Sequence, residues 1–224
     1  MIRPPGIKQY IFRFTSSLAF FSSSASSMSV DSISKAKTKL LPTASSLNIA
    51  ILSGSTRTDG PPRPILGPRV AKFIETTLLK RGHHVTLIEA RNSELSLLTK
   101  PHFAYSRSQT PPKLADIAKQ LSHSDAYIAI TPEYNHFPCP GLLNLFNHFG
   151  SSIFSFKPSA IVTYSAGQWG GTRAANSLRP FLSELGCLPV SAMIHIPMAQ
   201  NVIDDDGHIK IAEDVKSWEG YVTR

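Results

Sequence analysis

The sequence predicts a three-layer α/β fold around a parallel sheet of five strands. Short apolar runs alternate with longer segments whose apolar residues recur every three or four positions, which is the pattern of repeated βα units. Loops rich in small and polar residues follow three of these runs, in the place where open α/β sheets bind ligands. The chain of 224 residues, 42% hydrophobic and 17% charged, is long enough for one well-buried domain.

Each predicted element has its own signal. The strands are the β-branched apolar runs at 47–52, 85–89, 126–130, 160–164 and 188–196. The first helix presents an apolar face at helical spacing, formed by Val70, Phe73, Ile74 and Leu78. It is predicted to end before Gly82.

Three further helices are predicted by the same spacing. They lie at 113–123, after two prolines, at 141–149, and at 172–185, before Gly186. The segment 91–112 has no sustained period and is predicted to be a long loop. The segment 212–224 begins as a helix but is short for a last covering helix.

The first 46 residues are predicted to be a disordered N-terminal extension, and residues 47–224 the folded domain. The extension is rich in serine and contains six basic residues but one acid. That composition is typical of a mitochondrial presequence, and a disordered tail or a true start at Met28 would explain it equally well.

Charge and cysteine content exclude several classes of protein. The formal net charge of +8 falls to +3 once the extension is set aside, so nucleic-acid binding is not favoured. No apolar run reaches the roughly twenty residues of a membrane-spanning helix. The two cysteines and eight histidines show no disulfide or metal-ligand spacing, so we predict no metal site. A cytoplasmic location is expected, or a mitochondrial one if the extension is a presequence.

Three strand-end loops carry the candidate binding residues. The first offers hydroxyls, backbone N–H groups and a guanidinium, which suit a phosphate: Ser53, Ser55, Thr56 and Arg57. The second joins a rigid turn former to an aromatic ring and an amide: Pro132, Glu133, Tyr134 and Asn135. The third has small residues that let the backbone approach a planar ring: Ser165, Ala166, Gly167 and Gly170. Plain polar turns and a surface tyrosine are the alternative structural interpretations.

Taken together, these motifs resemble the NADPH-dependent FMN reductases of the flavodoxin-like superfamily, which include NAD(P)H:quinone and azo reductases. The resemblance rests on Gly54-Ser55-Thr56-Arg57, on Pro132-Glu133-Tyr134-Asn135 with Pro140-Gly141, and on Ser165-Ala166-Gly167 with Gly170-Gly171. It implies strand order 2-1-3-4-5 with FMN at the point where the order reverses. It also implies that Ser55 and Arg57 hold the FMN phosphate, that 132–135 and 165–167 frame the isoalloxazine ring, and that the chain forms a homodimer or homotetramer.

The resemblance leads us to expect an FMN-dependent oxidoreductase. NADPH or NADH would give hydride to the flavin and be replaced by a small-molecule acceptor, such as a quinone or free flavin. Phe103, Tyr105 and His136 are the expected walls of the nicotinamide and acceptor site. Two other classes stay open, a flavodoxin-type electron carrier, which the basic charge disfavours, and a flavin-free regulatory module on the same fold. The preference between NADPH and NADH also stays open, since three arginines could meet a 2′-phosphate: Arg57, Arg63 and Arg107.

Overall fold

The computed structural model of the chain describes residues 46–210, and they fold into an α/β domain. The strands are β1 (Asn48–Ser53), β2 (His84–Glu89), β3 (Ala126–Tyr134), β4 (Phe137–Pro138), β5 (Pro158–Tyr164) and β6 (Leu188–Ile196). The helices are α1 (Leu66–Lys80), α2 (Pro112–His123), α3 (Pro140–Asn147), α4 (Ser151–Phe154), α5 (Thr172–Glu184) and α6 (Ala199–Val202). One short 3-10 turn, Ala90–Asn92, lies at the start of the predicted long loop, and a second, His102–Ala104, lies within it.

Five parallel strands form the sheet in the order β2-β1-β3-β5-β6. The remaining strand, β4, has two residues and pairs antiparallel with the end of β3, off this path. The predicted order 2-1-3-4-5 is therefore confirmed for the five parallel strands. Ser53 pairs with Ile130, and Pro132 pairs with Tyr164, so the carboxyl ends of β1, β3 and β5 lie side by side.

Helices cover both faces of the sheet and bury two separate cores, which confirms the three-layer architecture. One core packs α2 to α5 on the sheet through large buried side chains such as Tyr127, Phe146 and Phe154. The other packs α1 and α6 on the opposite face, where Ile74 and Ile196 are almost fully buried. The central strands β1, β3 and β5 are covered on both faces, so they contain nearly continuous apolar runs in the sequence.

Two predicted boundaries were wrong. Strand β3 continues past the apolar run to Tyr134, so Pro132 lies in a strand and not in a turn. The turn falls instead on Asn135 and His136, whose φ angles of 51° and 64° make a two-residue hairpin loop into β4. The helix predicted at 141–149 ends at Asn147, and a separate helix, α4, starts at Ser151.

Some predictions fall outside the described residues. The extension before residue 46 and the shortened last helix at 212–224 are among them, and both stay predictions. Within residues 46–210, no helix combines the length and apolarity that crossing a membrane requires.

The long loop 91–112 is tied to the end of α3 by hydrogen bonds. Asn144 accepts from the Leu98 N–H at 2.9 Å and donates to the Ser96 carbonyl oxygen at 2.9 Å. The His148 Nε2 lies 3.0 Å from the same Ser96 oxygen, and because a carbonyl can only accept, Nε2 carries the proton. The His148 Nδ1 is buried and has no hydrogen-bond partner among the described residues.

We expect acid to destabilise the fold through His148. Burial lowers the pKa of His148, since a proton on Nδ1 would have no acceptor. Below about pH 6.5 the unfolded chain takes up this proton first, so the free energy of unfolding falls as the pH falls toward the lower folded pKa. Urea unfolding followed by circular dichroism, at a series of pH values, measures this.

His148→Gln retains an amide donor for Ser96 but does not titrate, so it should show a smaller loss of stability in acid. His84→Gln, at an exposed histidine of the edge strand β2, is the matched control and should behave like the unmodified protein. Equal acid sensitivity in all three proteins would contradict this account of His148.

Candidate functional site

A cleft opens at the edge of the sheet where β1, β3 and β5 end. The cleft has a volume of about 180 Å³. All three predicted loops and the start of α1 line it: Ser55, Arg57, Pro62, Ile65, Leu66, Gly67, Pro132, Glu133, Tyr134, Tyr164, Ser165 and Ala166.

The loop from β1 to α1 makes one end of the cleft rich in donors. The N–H groups of Ser55 and Thr56 have no hydrogen-bond partner among residues 46–210. The Arg57 guanidinium lines the cleft and donates to the carbonyl oxygens of Asp59, at 3.1 Å, and Pro61. Helix α1 begins here without an acidic residue in its first turn. A helix N-terminus beside free N–H groups and a guanidinium is an environment that favours an anion.

Glycines allow the elements around this end to approach closely. A Cβ on Gly67 would lie 2.9 Å from the Ser55 Cβ and 2.9 Å from the Tyr164 hydroxyl oxygen. A Cβ on Gly141, at the start of α3, would lie 2.5 Å from the Gly54 carbonyl oxygen. Side chains at these positions would force the helices away from the β1 loop, because real Cβ atoms do not come so close.

The loop from β5 to α5 makes the other end of the cleft. Some of its polar groups are hydrogen-bonded within the chain, and others are not. Ser165 is satisfied by its own chain: its hydroxyl donates to the Gly167 oxygen at 2.7 Å and accepts from the Gly170 N–H at 3.0 Å. Its backbone N–H donates to Ile196. The N–H groups of Ala166 and Gly167 have no partner among residues 46–210, so they are the donors left for a ligand.

Two tyrosines form the wall between these ends. The Tyr134 hydroxyl is buried without a hydrogen-bond partner among the described residues. Burial raises the pKa of Tyr134, and the nearby Cys139 raises it further, while Ser55 and Arg57 offset part of the shift. Burial likewise raises the pKa of Tyr164. Both phenols therefore keep their protons near neutral pH and are available as donors.

Glu133 lines the cleft but is already engaged by α5. Its carboxylate accepts from the N–H groups of Arg173, at 3.1 Å, and Ala174, at 3.4 Å, and pairs with the Arg173 guanidinium at 3.2 Å. The Arg173 guanidinium also lies 5.2 Å from the ring centre of Trp169. The side chain of Glu133 thus joins β3 to the N-terminus of α5 and is not a free ligand group.

The structure brings only part of the predicted set into the cleft. Ser53 is buried at the end of β1, and Thr56, Asn135, Gly167 and Gly170 are not among the residues that line the cleft. The N–H groups of Thr56 and Gly167 belong to the backbone directly after Ser55 and Ala166, which do line it. The three predicted acceptor-site residues, Phe103, Tyr105 and His136, do not line it either. Phe103 lies against Gly150, and Tyr105 lies under Lys100, whose Nζ is 4.3 Å from the ring centre. These positions follow from the ties between the 91–112 loop and α3.

Several lining residues were missed by sequence reasoning. Tyr164 is the last residue of a predicted strand. A tyrosine, with its hydroxyl, directly before the predicted binding loop at Ser165 was a usable signal. Gly67 and Pro62 gave no comparable signal, because they line the cleft only through the fold, which brings them beside residues 132–134 and 164–166. Among residues 46–210, no cluster of His, Cys, Asp and Glu could hold a metal ion. Cys139 and Cys187 are buried free thiols.

Known proteins resemble this chain in sequence and in fold. Residues 47–201 match the family described as NADPH-dependent FMN reductase. The NAD(P)H-dependent FMN reductase PA1204 of Pseudomonas aeruginosa is 34% identical over 103 residues, 44% of this chain and 56% of the relative. The match thus spans little more than half the length of that protein.

Solved structures show the same fold. FerB, a flavoenzyme NAD(P)H:(acceptor) oxidoreductase from Paracoccus denitrificans, matches with a TM-score of 0.62 at 22% identity, over 79% of this chain and 93% of its own. An oxidoreductase from Corynebacterium diphtheriae matches with a TM-score of 0.55 at 19% identity, over 79% and 93%. These likenesses confirm the predicted flavodoxin-like fold.

Proposed function

The chain belongs to the NADPH-dependent FMN reductase family, and on that premise we propose that it is an FMN-dependent NAD(P)H oxidoreductase with a small-molecule electron acceptor such as a quinone or flavin. The observation that carries the proposal is the cleft shared by three strand-end loops. Arg57 and unpartnered N–H groups lie at one end, and the N–H groups of Ala166 and Gly167 belong to the loop at the other. Such a division of donors suits a ligand with a phosphate and a polar ring.

The residues of the cleft fit FMN. The Arg57 guanidinium and the N–H groups of Ser55 and Thr56 would hold the phosphate, and charge-assisted hydrogen bonds of this kind are strong. The ring would lie between Tyr134 and the loop of Ala166 and Gly167. Bound FMN would supply the redox chemistry, taking hydride from NAD(P)H and passing electrons to the acceptor.

The chain itself contributes positioning and electrostatics. N–H groups fixed at the edge of a ring stabilise negative charge there without reorganising, which is the main way proteins assist such chemistry. The Glu133 carboxylate contributes by fixing α5 against β3 and not by contacting the reacting atoms. The neutral phenols of Tyr134 and Tyr164 keep the wall of the cleft uncharged.

The finer assignments remain predictions. Phe103, Tyr105 and His136 are still our candidates for the acceptor site, although none lines the cleft. Of the three arginines that could read a 2′-phosphate, only Arg57 lines the cleft, and Arg63 pairs with Asp59. A homodimer or homotetramer is proposed from the family resemblance, and light scattering of the purified protein would measure the assembly. The cytoplasmic or mitochondrial location also stays a prediction.

The proposal is tested by following flavin colour and NAD(P)H oxidation in purified, FMN-loaded protein. We expect NADPH or NADH to bleach the flavin absorbance without oxygen, and a quinone to restore it. Steady NAD(P)H oxidation should need protein, FMN and quinone together, with flavin-free protein as the control. Bound flavin that neither nucleotide reduces would contradict the enzyme assignment.

The same experiment separates the alternatives. A flavodoxin-type carrier would bind FMN, react poorly with NAD(P)H and accumulate one-electron-reduced flavin on photoreduction. A flavin-free regulatory module would remain colourless and take up no FMN.

A further inference from the structure

A line of hydrogen bonds runs from the edge strand β6 to the loop at the ring end of the cleft. The Thr163 hydroxyl, fully buried in β5, lies 2.8 Å from the Gly170 carbonyl oxygen and 2.8 Å from the His195 Nδ1. A hydroxyl has one proton, and a carbonyl oxygen can only accept, so Thr163 donates to Gly170. His195 must then donate to Thr163, which places a proton on Nδ1 and fixes the histidine tautomer.

The line continues through the loop to its unpartnered donors. The Gly170 N–H donates to the Ser165 hydroxyl at 3.0 Å, and that hydroxyl donates to the Gly167 oxygen at 2.7 Å. The hydrogen bonds therefore run in one direction, from His195 through Thr163 and Gly170 to Ser165. The hydrogen bonds of Ser165 to Gly167 and Gly170 hold together the segment 165–170, which contains the N–H groups of Ala166 and Gly167.

Packing couples the same groups. Gly170 has a φ of 61°, and a Cβ there would lie 3.2 Å from the His195 Cβ and 3.1 Å from the Pro197 nitrogen. Gly171 has a φ of 82°, and its Cβ would lie 2.8 Å from the Thr163 Cβ. The turn into α5 thus packs directly against Thr163 and His195. Neither of these two residues lines the cleft.

We propose that His195 is a positioning residue for the flavin ring, acting through Thr163 and Gly170 to hold the 165–171 loop with its free N–H groups in place. The inference rests on the proposed function and deepens it. Removing the Nδ1 donor leaves Thr163 free to rotate and to release the Gly170 oxygen. The loop then loses preorganisation, although every residue that lines the cleft is unchanged.

Paired substitutions test the line at two points. His195→Leu removes the donor, while His195→Asn retains an amide N–H near the position of Nδ1. Thr163→Val removes the hydroxyl at nearly constant volume, while Thr163→Ser retains it. His84→Leu, at an exposed histidine of the other edge strand, controls for the loss of any histidine.

Two readouts are needed. Amide hydrogen exchange of residues 165–171 is measured in flavin-free protein, and FMN affinity and reduction potential are measured in loaded protein. We expect the Leu and Val variants to exchange faster in this segment and to bind FMN about fivefold more weakly, the effect of one lost hydrogen bond. Their flavin potential should also shift. The Asn, Ser and His84→Leu variants should behave like the unmodified protein.

The inference is overturned if His195→Leu and Thr163→Val leave the exchange of residues 165–171 and the FMN affinity unchanged. It is also overturned if His195→Asn and Thr163→Ser lose as much as the Leu and Val variants, since a purely structural need for the native side chains would then suffice. If His195→Leu does not fold, the Thr163 pair decides. Failure of the proposed function looks different, because the unmodified protein itself would then bind no FMN.

Discussion

Alanine in place of Gly141 is expected to destabilise the protein and to weaken FMN binding by at least roughly tenfold, a loss of about 1.4 kcal/mol. The new Cβ would lie 2.5 Å from the Gly54 carbonyl oxygen and 2.6 Å from the Thr56 Cγ2. Helix α3 or the β1 loop must then move, and overpacking of this kind typically costs about 1–3 kcal/mol. The movement displaces the Ser55 and Thr56 N–H groups, which explains why stability and affinity should fall together. Urea unfolding and titration with FMN measure the two effects.

Gly54→Ala should give the same result from the other side of this contact, since its Cβ would lie 2.3 Å from the Leu142 Cβ. Gly167→Ala is the matched control. That glycine belongs to the loop at the ring end, but a Cβ there would meet no atom within 4 Å and its φ is not left-handed. Unchanged stability in Gly167→Ala and in Gly141→Ala alike would show that the close approach of α3 does not matter.

Removing the guanidinium of Arg57 should weaken FMN binding by roughly ten- to a hundredfold, because hydrogen bonds to charged groups contribute about 1.5–3 kcal/mol. The half-exposed Arg57 side chain packs in no core, so Arg57→Ala should fold normally. Riboflavin, which lacks the phosphate, should bind the variant and the unmodified protein equally. Fluorescence titration with both flavins separates a phosphate contact from a general change in the cleft.

Arg63→Ala is the control for Arg57→Ala. Arg63 lies six residues along the same segment, is exposed, and pairs with Asp59. Its loss removes the same charge from the same region without touching the cleft. If both variants lost the same FMN affinity, the effect would be one of net charge, and Arg57 would have no specific contact with the phosphate.

The central strands β1, β3 and β5 could be predicted because they are mostly buried and their sequences contain nearly continuous apolar runs. That signal stops at Ile130, yet β3 continues through Thr131, Pro132 and Glu133. Those residues are held by pairing with β5 and β4, which only the folded chain brings beside them. A pattern along one strand carries no information about such pairing.

The same limit applies to the site. The small and polar residues of three loops predicted a shared cleft, since the carboxyl ends of parallel strands meet at one edge. The role of Glu133 could not be predicted, because its partner Arg173 lies 40 residues further along the chain. Phe103 and Tyr105 are expected at the acceptor site from the family resemblance, but hydrogen bonds from Asn144 and His148 to residues 96 and 98 set the course of their loop.

Titration of the flavin-free protein with FMN and with riboflavin tests the central claim most directly. A cleft that holds a phosphate between Arg57 and the start of α1 predicts saturable binding of one FMN per chain, at least roughly tenfold tighter than riboflavin. Failure to bind FMN, or equal affinity for the two flavins, would contradict the site described above.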